Sequence, residues 1–168
     1  MKCIYILLIG SALAVFSSPV FAQDLDKKFL MGKIRYAEDS LFVRLQKEHA
    51  NKSAYLQKEV YQQYIKMHDA ALKSGVKLII TSGARNFYLQ KYLWELKWNN
   101  DQSSKILNLE LRSAEILKWL AVPGTSRHHW GTDLDFDTYV LGNLENEAWK
   151  KAYTWLQANA HRFGFFQP

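Results

Sequence analysis

From Leu56 onward, apolar residues recur in steps of three and four: Leu56, Val60, Tyr64, Met67 and Ala71 form one stripe. A stripe of that period is the face an α-helix turns towards a core. Ser53 is placed to cap this helix and Gly75 to stop it, so a helix is expected from about Ser53 to Ser74. Val76–Thr81 then reads as a short buried strand. Ser82-Gly83-Ala84-Arg85 forms a turn, and Asn86 is placed to cap a second helix to about Trp98, with Leu89, Leu93 and Leu96 facing inward. A further helix is expected over Ser104 to Leu120, broken by Pro123-Gly124.

From Thr132 to Asp137 the period changes to two. Leu134 and Phe136 point one way, while Asp133, Asp135 and Asp137 point the other, as on a strand with one apolar and one anionic face. Gly142-Asn143 marks a turn, and a last helix is expected from about Glu145 to His161, with Trp149, Tyr153 and Leu156 as its stripe. Gly164 ends it, and Phe165-Phe166 looks like the start of a strand.

The first residues have the pattern of an export signal. Lys2 gives a positive start, Ile4–Phe16 an apolar run, and Val20-Phe21-Ala22 small residues at the cleavage positions, so residues 1–22 are expected to be removed. The run is about 13 residues, short of the roughly 20 that span a bilayer. Residues 23–168 are therefore expected as one exported, most simply periplasmic, domain with no stable membrane anchor. Repeats, low-complexity stretches and proline-rich linkers are absent after the signal. Cys3 lies inside the signal, so the mature chain has no thiol and must rest on a hydrophobic core, helped by any metal it binds. The formal charge of +6 is spread along the chain without basic clusters. That distribution suits a solvated basic surface, with weak attraction to an anionic wall polymer, and gives no nucleic-acid footprint.

The most informative segment is Ser126-Arg127-His128-His129-Trp130-Gly131-Thr132-Asp133-Leu134-Asp135, which gathers imidazoles and carboxylates around one glycine. Imidazole and carboxylate together suit zinc, whose catalytic sites take three protein ligands and leave a fourth position open. A turn followed by a strand can fold His128 and Asp135 back onto one ion, and Gly131 permits the bend. The same residues are also compatible with an exposed acidic strand face. His129, pointing away from its neighbour, is expected to support the site from behind or to pack. Arg85, after a strand and a small-residue turn, either projects its fork of donors into a cleft or pairs on the surface with an acid. The tryptophans fit core positions at helical spacing, with Trp130 alone placed to wall the site. His49, His68 and His161 fit packing or exposure, His161 being the one near the expected cleft.

These residues resemble the Ser-x-His-x-x-Gly-x-Ala-x-Asp signature of the VanY-like D-alanyl-D-alanine carboxypeptidases, zinc enzymes of the LAS group, with Asp133 in place of the alanine. Further similarity lies in Ser82-Gly83-Ala84-Arg85-Asn86-Phe87 with Gln90, in Trp94-Glu95-x-Lys97-Trp98, and in Trp155-Leu156-x-x-Asn159-Ala160 leading to Gly164-Phe165. The resemblance implies a small α+β domain, helices packed on an antiparallel sheet that carries the metal site. It implies His128 and Asp135 as zinc ligands, Arg85 as the group that polarises the scissile carbonyl, and Ser126 and Gln90 as holders of the substrate's terminal carboxylate. The implied substrate is a peptidoglycan stem peptide ending in D-Ala-D-Ala. The family draws its general base and third zinc ligand from a Glu-x-Trp-His signature, and the 168 residues contain none. The expectation is therefore a C-terminally incomplete peptidase domain with little activity as it stands, or a wall-peptide-binding remnant that has lost catalysis.

Overall fold

The computed structural model describes residues 26–136 and 147–167. The export signal, Asp137 and the Gly142-Asn143 turn lie outside them. Helix α1 (Lys27–Leu30) leads to strand β1 (Phe42–Arg44), which pairs antiparallel with β2 (Tyr55–Gln57), Val43 opposite Leu56. Helix α2 (Lys58–Lys73) follows directly. Strand β3 (Ile80–Ser82) pairs antiparallel with β4 (Asp135–Phe136), Ile80 opposite Phe136 and Ser82 opposite Asp135 across a bulge. Helices α3 (Phe87–Trp98), α4 (Leu109–Leu117) and α5 (Glu147–Asn159) complete the small α+β domain.

The core lies between α2 and the strands. Tyr61, Tyr64, Met67 and Ala71 bury one face of α2 against Leu56, Leu78 and Ile80, and Leu134 and Phe136 pack on this cluster as the alternating pattern requires. The helix begins later than its apolar period suggests. Tyr55–Gln57 is taken by strand pairing with β1, so Ser53 caps nothing and Leu56 reaches the core from a strand. Sheet pairing and burial override a local helical signal here.

Strand β3 has a second neighbour besides β4. Ile80 N–H donates to the His49 carbonyl at 2.9 Å and Asn51 N–H to the Ile80 carbonyl at 3.2 Å, so the segment ahead of β2 flanks β3 on its other edge. That places residues 49–55 beside the turn that leaves β3.

Three helices differ from expectation. On α3, Asn86 caps as expected, its side chain accepting from Leu89 N–H at 2.8 Å. However, Leu89 and Leu96 are 44% and 51% exposed, and the inward position is the fully buried Gln90. Leu93 is half-buried as expected, and Trp94 and Trp98 are half-buried beside it, so the inward face runs between the leucine stripe and the tryptophans. The Ser104–Leu120 helix is split into a 3-10 turn (Ser103–Lys105) and α4, because the Asn108 side chain accepts from the N–H groups of Glu110 and Leu111 and starts a new helix. Helix α5 ends at Asn159 in a 3-10 turn (Ala160–Phe163) and packs through Ala152, Trp155 and Leu156. Trp149 and Tyr153 instead stack on each other, ring centroids 4.9 Å apart. Phe165 packs on the core without forming a strand among the described residues, and Phe166 is exposed.

Candidate metal centre and peptide cleft

Two sequence-distant turns are stitched together at the end of β3. Arg85 N–H donates to the His128 carbonyl at 3.0 Å, and the Gly83 and Arg85 carbonyls lie 2.8 and 2.6 Å from Nδ1 of His128 and of His129. A carbonyl can only accept, so both imidazoles carry their proton on Nδ1. For His129 the other nitrogen is also engaged: Nε2 accepts from Gly124 N–H at 2.9 Å, and the ring is completely buried. Burial lowers its pKa, and it stays neutral as a structural tie. For His128, Nε2 faces the Asp135 carboxylate at 3.4 Å, donating to it when the ring carries a second proton and presenting a lone pair to a metal when it does not.

Gly131 makes this convergence possible. It sits in the left-handed region at φ 68°, and a Cβ there would lie 2.4 Å from the Phe42 ring. The bend sends the chain from the 3-10 turn Arg127–Trp130 into β4, so His128 and Asp135 meet although they belong to different elements.

Arg85 joins them. Its Nη2 is 3.8 Å from the same Asp135 oxygen, and its Nε is buried with no hydrogen-bond partner among the described residues. Burial lowers the guanidinium's pKa, opposed by Asp135 and Asp133. Burial alone would raise the Asp135 carboxyl; the hydrogen bond and charge of His128, with Arg85 and Lys52, outweigh it and hold Asp135 below its usual value. The arrangement is an imidazole nitrogen and a carboxylate facing each other beside a fixed positive charge.

These donors fit zinc. Two ligands of one tetrahedral ion with bonds of about 2.0–2.1 Å stand roughly 3.3 Å apart, close to the spacing seen here. The Nδ1–H bond to a backbone carbonyl is the outer support that metal-binding histidines use to present Nε2. Among the described residues, no third His, Cys, Asp or Glu joins the pair. His161 is exposed and takes no part, and Asp133 is drawn aside to Arg127, 2.7 Å away.

The remaining candidates are placed differently. Ser126 is buried, its carbonyl accepting from His129 N–H. Gln90, also buried, donates through Nε2 to the Ala121 carbonyl at 2.7 Å. Its Nε2 is therefore engaged in holding the chain at Ala121, while its Oε1 is buried without a hydrogen-bond partner among the described residues. Trp130 is tied through its indole N–H to the Leu30 carbonyl at 3.3 Å. It does not wall the cavity beside Arg85. That cavity, of about 290 Å3, is lined instead by Lys52, Ser53, Tyr55, Asn86 and Leu93. No spacing rule marks Lys52 in the sequence; only the pairing of residues 49–51 with β3 brings it here.

The match to known families agrees with this geometry. Residues 53–168 fit the family model described as VanY, D-alanyl-D-alanine carboxypeptidase. The chain belongs to the VanY family. A D-alanyl-D-alanine carboxypeptidase of Enterococcus faecalis is 33% identical over 101 residues, covering 60% of this chain and 36% of the relative. The chain thus spans about a third of that relative's length. Among solved VanY structures, VanYB in complex with D-Alanine-D-Alanine aligns with a TM-score of 0.62 at 26% identity, covering 79% of this chain and 68% of that one. The LdcB LD-carboxypeptidase shares the fold, with a TM-score of 0.54 at 24% identity over 79% of this chain and 59% of its own. The VanY assignment confirms the α+β class expected from the sequence.

Proposed function

We propose that this chain is the core of a zinc-dependent D-alanyl-D-alanine carboxypeptidase acting on peptidoglycan stem peptides after export to the periplasm. The observation that carries the reading is the meeting of His128 Nε2, the Asp135 carboxylate and the Arg85 guanidinium at one point beside a cavity. His128 and Asp135 would hold the metal. When bound, zinc supplies Lewis-acid polarisation of the scissile carbonyl and a nucleophile available at neutral pH. Arg85, fixed by its backbone contacts to the His128 turn, faces the carbonyl oxygen and stabilises the negative charge that develops on it. Ser126 holds the peptide's terminal carboxylate, with Gln90 bracing the segment behind it. Among the described residues, no helix is long and apolar enough to cross a membrane.

The test is zinc titration by calorimetry together with D-alanine release from a stem pentapeptide. Zinc should bind the wild-type chain and be lost, by a hundredfold or more in affinity, in His128→Ala and Asp135→Asn. Arg85→Lys should keep zinc, weaken pentapeptide binding and lower further the little D-alanine release expected of the wild-type chain. Zinc affinity unchanged by both ligand substitutions would sink the reading. The pairing of only two donors among the described residues favours a second reading, a peptide-binding protein without catalysis. Tight retention of uncleaved pentapeptide by zinc-loaded protein would favour that one.

A further inference from the structure

The cavity beside Arg85 holds a cation that the reaction does not use. Lys52 lines it opposite the Ser82–Asn86 turn, and no acidic residue lines it with them. The backbone around Lys52 is pinned on both sides. Asn51 N–H donates to the Ile80 carbonyl at 3.2 Å, and the Tyr55 carbonyl accepts from Ala84 N–H at 2.7 Å. The contact at Tyr55 is so close that a Cβ on Gly83 would sit 2.5 Å from that carbonyl oxygen. The loop bearing Lys52 is thus held in register with the turn bearing Arg85. Among the described residues Lys52 makes no ion pair or side-chain hydrogen bond. Arg85 lines the same cavity and stands 3.8 Å from Asp135, which joins the surroundings of Lys52 to the metal pair.

A positively charged cavity with apolar wall from Ala54, Leu89 and Leu93 suits an acidic side chain carried on a short methylene stem. Ser126, Gln90, His128 and Asp135 do not line it while Arg85 does, so on the reading above it adjoins the scissile carbonyl on the side away from the terminal carboxylate. We infer that Lys52 is a specificity residue that recognises a carboxylate on the residue preceding the D-Ala-D-Ala pair, so that acidic peptides are taken in preference to neutral ones. This rests on the D-Ala-D-Ala reading of the site.

The test compares two peptides of nearly equal shape, N-acetyl-L-glutamyl-D-Ala-D-Ala and its glutaminyl counterpart, by calorimetric titration of the full chain with Zn(II). The wild type should bind the acidic peptide about tenfold more tightly, a preference that shrinks with added salt. Lys52→Gln should bring the ratio close to one, and Lys52→Arg should keep it. Lys52 is exposed and unpaired, so the melting temperature of each variant should match the wild type and show that the fold is kept. A wild-type ratio near one, or a ratio that survives Lys52→Gln, overturns the inference alone. Failure of both peptides to bind overturns the D-Ala-D-Ala reading and this inference with it.

Discussion

Two pairs of histidines in this chain are sheltered from water, and they differ in how their ring nitrogens are held. At the turn, backbone carbonyls at 83 and 85 dictate that His128 and His129 carry their protons on Nδ1. His129 then spends its other nitrogen on Gly124, and His128 is left with one nitrogen aimed at Asp135. In the core, His49 and His68 lie edge to face with ring centroids 4.8 Å apart, flanked by Tyr61 and Tyr64. His49 Nδ1 is 2.6 Å from the Tyr61 hydroxyl, and both His68 nitrogens are buried without a hydrogen-bond partner, Nδ1 standing 3.5 Å from the Asp69 carboxylate with no carbonyl to fix its proton. The number of nearby histidines does not distinguish the pairs. What does is whether the surroundings fix the proton and leave a nitrogen free in a definite direction.

The sharpest break in that comparison lies between adjacent residues. His129→Ala removes a fully buried ring and leaves the Arg85 carbonyl and Gly124 N–H unpaired, so it should cost about 3–4 kcal/mol and lower the melting temperature by roughly 10 °C. His128→Ala loses one hydrogen bond to the Gly83 carbonyl and should cost only about 1 kcal/mol, while abolishing zinc affinity. Thermal unfolding of the two variants checks this. Equal destabilisation would mean that both rings are structural and that the free nitrogen of His128 has no function.

The contrast bears on what the sequence could reveal. The His128, Gly131 and Asp135 spacing was legible because a glycine bend and a period-two strand are local patterns, and so were the Asn86 cap and the inward Leu134 and Phe136. The α2 register was not, because Tyr55–Gln57 gains more from pairing with Phe42–Arg44 than from helix. The α3 face was legible only in part, because two apolar stripes share one period. Lys52 and the partners of the His129 ring were beyond reach for the same reason: each depends on contacts across a long stretch of chain, Asn51 to Ile80 and Arg85 to His129, that no local pattern encodes.

A smaller effect separates the two regions by pH. Burial lowers the His49 pKa from 6.5, helped by His68 and opposed by Glu48 and Asp69. The unfolded chain therefore takes up a proton first. The stability this group contributes is complete above about pH 6.5 and lost as pH falls below it. His129 shifts in the same direction. Asp135 is also depressed, from 3.8, so its contribution persists to lower pH and is lost only below about pH 4. Urea midpoints measured from pH 8 to 3 should hold level, then decline in two stages. His49→Gln should flatten the first decline and Asp135→Asn the second; a single decline unaffected by His49→Gln would remove the core histidines from the account.

The smallest expected effect tests which carboxylate of the strand faces the metal. Asp133 stands where the family signature has alanine, and its oxygens are engaged by Arg127 at 2.7 Å and by the Thr132 hydroxyl at 3.0 Å. Arg127 is half exposed, and ion pairs of that kind are worth about 0–1 kcal/mol, so Asp133→Ala should change stability by no more than that. Zinc affinity should move by less than about threefold, because Arg127 already offsets the charge that is removed. A tenfold loss on calorimetric titration would show that Asp133 turns from Arg127 towards the ion when zinc is present. The division of labour along the strand, with Asp135 for the metal and Asp133 for the arginine, would then have to be redrawn.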